Sequence, residues 1–218
     1  MSHIITRLFD HFEDAEHAVI ELGRVGVPHA DISLVSHRSD RKHAAAHVRE
    51  PMDLTTEDAS ARDAGTGAAI GGVLGAGGGL LAGLGLLAIP GLGPVVAAGW
   101  LVSAGVGALV GGAVMAGAGG IVGALTHAGV SEEEAGIYAE GVRRGGTLVS
   151  ARIADDKWPA ATTALNQVSA VDIHQRSAAY HEQGWSHFDE NAPPYTESDI
   201  EAERNRPGLV GRDDRRVF

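Results

Sequence analysis

The stretch "GAAIGGVLGAGGGLLAG", residues 67–83, decides how the rest of the chain is organised. Its glycines recur at every fourth position, and each step of four residues turns about 40° around an α-helix. They therefore form a stripe roughly 160° wide, opposite a face that carries the Ile, Val and Leu side chains of residues 66–88. The stripe consists of Gly67, Gly71, Gly75, Gly79 and Gly83. This pattern predicts a helix that packs closely on one side and meets apolar surroundings on the other.

A second apolar segment begins at Val95, after the turn "IPGLGP" at 89–94. It repeats the four-residue spacing in part, so its small residues are also predicted to pack helix against helix. These positions are Gly99, Gly107, Gly111, Gly119 and Gly123. The two segments together predict a glycine-zipper helical hairpin over residues 64–130, and residues 64–131 contain no Asp, Glu, Lys or Arg.

Two environments suit such a hairpin. In a membrane, small residues let two helices approach closely, and the segment 66–88 would reach about 35 Å as a helix, enough for a bilayer core of roughly 30 Å. Two features argue against a full membrane span: the flanks lack Lys and Arg anchors, and the turn carries no charge. A shallow or re-entrant hairpin therefore fits better. A soluble oligomer core is the alternative. A flexible spacer is disfavoured because a spacer has no reason to keep two distinct faces.

The amino-acid composition disfavours or excludes several classes of function. The chain has 218 residues, a net charge of −11 and no cysteine. An acidic chain without a long basic run is poorly suited to nucleic acid, and the absence of cysteine excludes disulfides and thiolate chemistry. The N-terminus does not have the pattern of a signal peptide, because Arg7 and Asp10 interrupt it.

The residues before the insert predict a strand, a helix and a strand. The strands are His3–Phe9 and Ile32–Ser36. The helix carries Phe12, Ala15, Val19 and Leu22 on one face, and Asp10 with Glu13 predicts a capping box at its start.

The residues after the insert predict helix, strand, helix and strand. Ser131 and Glu134 form a second capping-box pattern, and Gly145-Gly146 ends that helix. Thr147–Ile153 is predicted to form a strand, and Asp155 is predicted to cap a helix that begins near Trp158. Val171–Gln175 is predicted to form the last strand.

The two halves predict an α+β fold, a split ferredoxin-like domain with helices on one face of a small antiparallel sheet. The expected organisation is a first half at 1–37, a polar linker at 38–63, the insert at 64–130, a second half at 131–176 and an acidic tail at 177–218. The tail is expected to carry a short helix near Ile200–Arg204 and to be fastened by its aromatic residues.

Four segments together resemble the bacterial general stress proteins, also called heat-induced stress protein domains. They are "FDHFEDAEHAVIELGRVGVPHADISLVS" (9–36), "AIPGLGPVVAAGWLVSAGVGALVGG" (88–112), "GVSEEEAGIYAEGVRRGGTLVSARI" (129–153) and "GWSHFDENAPPYTESDIEAER" (184–204). The resemblance implies stress-linked expression and a glycine-zipper insert of the kind often labelled a membrane protein. It implies no catalytic residues and no cofactor.

Chemistry-bearing residues are sparse. His43 and His47 have the spacing of a helical metal pair, with His37 and Asp40 nearby, but a solvated linker is the favoured interpretation. His181 and His187 are expected to pack the tail. Arg143-Arg144 before Gly145-Gly146 is interpreted as a helix end, because a helix C-terminus repels anions.

The function expected from the sequence is therefore a non-enzymatic stress-response protein. It is expected to form a homo-oligomer and to associate with the lipid bilayer, with its termini in the cytoplasm. The alternative is a soluble, cytoplasmic, self-assembling protein whose glycine hairpins form a buried core. No catalytic, metal or cofactor site, no nucleic-acid partner and no small-molecule substrate is expected.

Overall fold

The computed structural model describes residues 2–37, 85–89, 92–101 and 120–205. The linker 38–63 and most of the predicted glycine zipper lie outside these residues. The strands are β1 (Ser2–Phe9), β2 (Ile32–His37), β3 (Gly85–Ile89), β4 (Gly93–Ala98) and β5 (Thr147–Ala154). The helices are α1 (Phe12–Arg24), α2 (Gly120–His127), α3 (Glu132–Arg143), α4 (Trp158–Leu165), α5 (Ile173–Glu182) and α6 (Glu197–Arg204), with a 3-10 turn at His29–Asp31.

The strands form one sheet in the order β1-β5-β2-β4-β3, and all neighbours are antiparallel. The predicted α+β class is confirmed. β5 pairs with β1 on one side and β2 on the other, so it joins the two halves of the chain predicted to fold together. Ser150 on β5 lies opposite both Thr6 and Ser33.

Helices cover both faces of this sheet, so the expectation that they occupy one face is wrong. One core contains α1, α4 and strand residues such as Ile5, Ile32 and Val149. The other contains α2, α3 and the opposite strand positions Leu8, Val35 and Leu148. The strands carry buried apolar residues on both sides because each side is covered. In addition, α5 packs against α3 through Tyr180 and Ile137.

Part of the glycine-rich zone forms strands where helices were predicted. β3 and β4 make a hairpin whose turn contains the hydrogen bond from Leu92 N–H to Ile89 O, at 3.1 Å. The turn at 89–94 is therefore confirmed, but the helix predicted from Val95 is wrong at its start. Val95 to Ala98 are buried between β2 and β3, and their β-branched and small side chains suit a covered strand.

Gly99 ends β4 in a conformation that explains why a glycine is needed. Its φ is +91°, and a Cβ there would lie 2.0 Å from Ile32 O. Two residues on, Leu101 N–H donates to Ser33 Oγ at 2.9 Å, which fastens the chain leaving β4 to β2. Gly99 thus permits a close approach of two backbones, but to a strand rather than to a helix.

The predicted last strand is also wrong. Val171 N–H donates to Leu8 O at 2.8 Å, a single hydrogen bond on the outer edge of β1. Asp172 then accepts hydrogen bonds from the backbone N–H groups of His174 and Gln175, and α5 begins. The side-chain cap satisfies two amide groups that a strand would have used in a ladder.

The helix starts agree only in part with the predicted caps. Ser131 Oγ accepts from Glu134 N–H, as predicted. Asp10 does not cap α1, whose N-cap is His11, because its carboxylate pairs with Arg176 at 2.8 Å. Asp155 does not cap α4, whose N-cap is Lys157, and instead pairs with His3 at 3.0 Å.

We predict that Gly99→Ala destabilises the protein by about 2–5 kcal/mol, the sum of left-handed backbone strain and a steric clash. Gly129→Ala is the matched control, because Gly129 has a φ of +98° with no atom within 4 Å of an added Cβ. It carries only the strain, about 1–2 kcal/mol. Urea unfolding measures both, and equal losses would contradict the close approach at Gly99.

Candidate functional site

Most of the residues proposed for helix packing lie outside the described part of the chain: Gly67, Gly71, Gly75, Gly79, Gly83, Gly107, Gly111 and Gly119. Gly99 lies at the end of β4, as described above. Gly123 lies within α2, which packs against α3. The linker residues Asp40, His43 and His47 also lie outside the described residues, so the interpretation of this segment as a solvated linker stays a prediction.

Besides Gly99, three described glycines near the C-terminus of α3 lie in close packing. A Cβ at Gly141 would lie 2.4 Å from Leu8 Cδ2, and one at Gly145, whose φ is +97°, would lie 2.4 Å from Ile200 Cγ2. A Cβ at Gly146 would lie 2.9 Å from Gly141 O. The four-residue spacing of Gly141 and Gly145 could have indicated this close packing from the sequence, but Gly145-Gly146 was interpreted only as a helix end.

A buried ion cluster lies at this end of α3. Glu140 is fully buried, and its Oε1 accepts from Arg144 Nε at 2.6 Å and from Arg143 Nη2 at 3.0 Å. Arg143 Nε also lies 2.9 Å from Glu140 Oε2, but it is not aligned for a hydrogen bond. Arg144 Nη1 continues to Glu203 of α6 at 2.7 Å. The cluster therefore links α3 to the C-terminal helix through charges with little access to water.

Aromatic rings enclose the arginines. The Arg144 guanidinium lies 4.1 Å from the ring centroid of Tyr180, and that of Arg143 lies 5.2 Å from the ring centroid of Tyr195. Burial raises the pKa of Tyr180 to about 12, although the nearby Arg176 and Arg144 lower it. Burial would lower the pKa of Arg144, but its hydrogen bonds to Glu140 and Glu203 outweigh burial and raise it. The charged groups of the cluster bind one another, so its arrangement fits a structural role.

A cleft of about 600 Å³ lies near the opposite end of α3, between its first turn and the segment 181–191. It brings together His181 and His187, but both rings have local partners. His181 Nδ1 lies 2.8 Å from Trp185 O, and His187 Nδ1 lies 2.9 Å from Ser186 Oγ. These contacts agree with the expected packing of the tail. Within the described residues, His, Asp and Glu form no group of three that would hold a metal ion.

His37 is the described member of the predicted linker histidines. It is the last residue of β2, only 4% exposed, and burial lowers its pKa. Arg204 lowers this pKa further and Glu197 raises it, and both of these residues belong to α6. No local sequence pattern indicates this electrostatic influence, because about 160 residues separate His37 from α6.

The comparisons with known proteins supply no relative: no family model, no curated protein and no solved structure matches the chain. None of the helices that the structure describes is both long enough and apolar enough to cross a membrane.

We predict that Arg144→Met destabilises the fold by about 3–5 kcal/mol, because it leaves the buried Glu140 carboxylate without its closest cation. Arg24→Met is the control, because Arg24 pairs with Glu21 on the exposed surface of α1 and its loss costs about 0–1 kcal/mol. Chemical unfolding measures both changes. Equal stabilities of the two variants would show that the cluster does not hold α3 to the tail.

Proposed function

We propose that this chain is a non-enzymatic stress-response protein that associates with a membrane surface and self-assembles through its glycine-rich insert. The observation that carries the proposal is the way in which the insert is attached. Two uncharged stretches, residues 64–84 and 102–119, begin or end at the β3–β4 hairpin, which belongs to the sheet of the folded body.

The attachment favours shallow association over a membrane crossing. Residues 38–84 start from β2 and end at β3, and residues 102–119 start after Leu101 and end at α2. Because both ends of each segment belong to one folded body, a segment that enters a bilayer has to return on the same side. Two helical crossings need about 40 apolar residues, more than either uncharged stretch provides.

The hairpin also favours a pairing of the two stretches. Gly85, where the first stretch ends, lies opposite Ala97, close to the point where β4 ends and the second stretch follows. Two glycine-rich segments are therefore tethered at one end of the same strand pair. Glycines spaced by four residues allow helical backbones to approach closely, within one chain or between copies.

The stress-response part of the proposal rests on the resemblance of the four sequence segments to the general stress proteins. The soluble alternative has an observation of its own. Val95, Val96, Ala97 and Ala98 belong to the same uncharged zone, yet they are buried inside the body. Part of the uncharged zone is thus used for packing within the protein, and the remaining stretches would do the same in a soluble oligomer.

Vesicle flotation tests the membrane part. We expect the full chain to float with phosphatidylcholine vesicles, and Leu80→Gln with Leu84→Gln to reduce flotation severalfold, because apolar area buried in lipid supplies the affinity. Ala202→Gln on the exposed surface of α6 is the control and should float like the parent. A parent that stays unbound and migrates as a large soluble particle would favour the alternative.

Native mass analysis tests the packing part. Gly75→Leu with Gly79→Leu increases helix propensity and hydrophobicity but places bulk on the glycine stripe, so we expect loss of assembly. Ile70→Leu with Val73→Leu alters the opposite face and should assemble like the parent. Equal assembly of both double variants would refute close packing through the stripe.

A further inference from the structure

A cleft of about 390 Å³ lies beside the outer edge of β1. Arg7 of β1 and Tyr138 of α3 line it, and its other walls come from the end of α4, the connection to α5 and the first turn of α5. Those walls are mainly apolar and include Leu165, Val168, Ala170, Val171 and Ile173. A cleft of this size, with apolar walls and a few polar groups, is typical of a site for a small organic ligand.

Arg7 is the cation of this cleft, and it pairs with no carboxylate of the described residues. Its side chain is partly buried, and its Nη1 donates to Thr6 O at 3.1 Å. Arginines that do pair with a carboxylate include Arg24, Arg143, Arg144, Arg152 and Arg176. In a chain of net charge −11, an arginine without an acidic partner keeps its remaining N–H groups available for an external anion.

Tyr138 supplies a second donor at the same place. Its hydroxyl donates to Thr6 O at 3.2 Å, so this one carbonyl oxygen accepts from both Tyr138 and Arg7. Because Arg7 alone satisfies the carbonyl, the hydroxyl can turn to a ligand without leaving a buried acceptor unpaired. Burial raises the pKa of Tyr138 and outweighs Arg7, which lowers it, so the phenol keeps its proton and can donate.

Among the described residues that line the cleft, Asp172 is the only acid, and it limits the charge of a ligand. Its Oδ1 accepts from the backbone N–H groups of His174 and Gln175 at 2.9 and 3.1 Å, so the carboxylate caps α5 instead of pairing with Arg7. It still repels negative charge nearby. A monoanion therefore suits the cleft better than a dianion such as a phosphate monoester.

We propose that this cleft binds a small monocarboxylate with an apolar body. The Arg7 guanidinium holds the carboxylate, the Tyr138 hydroxyl donates to it, and the apolar body lies against Val168 and Ile173. No local sequence pattern indicates this site, because Thr6 and Tyr138 are 132 positions apart. The inference concerns the folded body and does not depend on the proposed membrane association.

Saturation-transfer NMR of the full chain tests the cleft with two carboxylates, 3-phenylpropionate and hexanoate. We expect at least one of them to bind with a dissociation constant on the order of 1 mM or tighter. The corresponding neutral amide has nearly the same shape without the charge, and it should bind about tenfold more weakly. Absence of saturation transfer to both carboxylates, or equal affinity of acid and amide, would overturn the proposal.

Three variants locate the binding. Arg7→Gln should bind the acid and the amide about equally, because only the charged contact is lost, and Arg7→Lys should recover part of the preference for the acid. Arg24→Gln alters an exposed arginine of α1 and should keep the full preference of the parent. A preference for the acid that survives unchanged in Arg7→Gln, or that is lost equally in Arg24→Gln, would show that Arg7 does not hold the carboxylate.

Discussion

The pairing of β5 with both β1 and β2 is the constraint on which the rest of the structure depends. The first half of the chain supplies two strands that lie parallel to each other with a gap between them, and only β5 fills the gap. Once β5 is in place, its two faces define the two cores. It also fixes α3 above one face and α4 below the other, because both helices are joined to it by short connections.

The C-terminus of α3 is the second organising point. Small residues at Gly141, Gly145 and Gly146 let a helix end, a strand and α6 approach one another closely. The same end of α3 presents Glu140, Arg143 and Arg144, which bind one another and Glu203. A buried ion cluster of this kind is costly to break, so the end of the chain is held to the body by chemistry that apolar packing alone would not provide.

Sequence patterns predicted those elements whose signals are local. Alternation, helical periodicity and capping residues within short windows predicted β1, α1, β2, the Ser131 cap and β5.

The errors in the predictions arose where a partner distant in sequence decided the structure. Asp10 binds Arg176 instead of capping its own helix, and Val171 meets β1 for a single hydrogen bond before Asp172 starts α5. The strands β3 and β4 were hidden because glycine, valine and alanine in an uncharged run suit a packed helix as well as a covered strand. The link from Arg144 to Glu203 was hidden because the two residues are 59 positions apart in sequence.

The position of β5 in the sequence also determines how late in synthesis the sheet can form. When ribosomal synthesis has delivered β1 and β2, the strand that belongs between them is still about 110 residues away. Closure of so long a loop adds to the entropy that folding has to overcome, and contacts of such separation form slowly. The uncharged glycine-rich zone is therefore translated in full before the sheet that anchors it exists. For that interval the most apolar segment of the nascent chain has no folded body to pack against, and exposed apolar segments of this kind are where chaperones act and aggregation competes with folding.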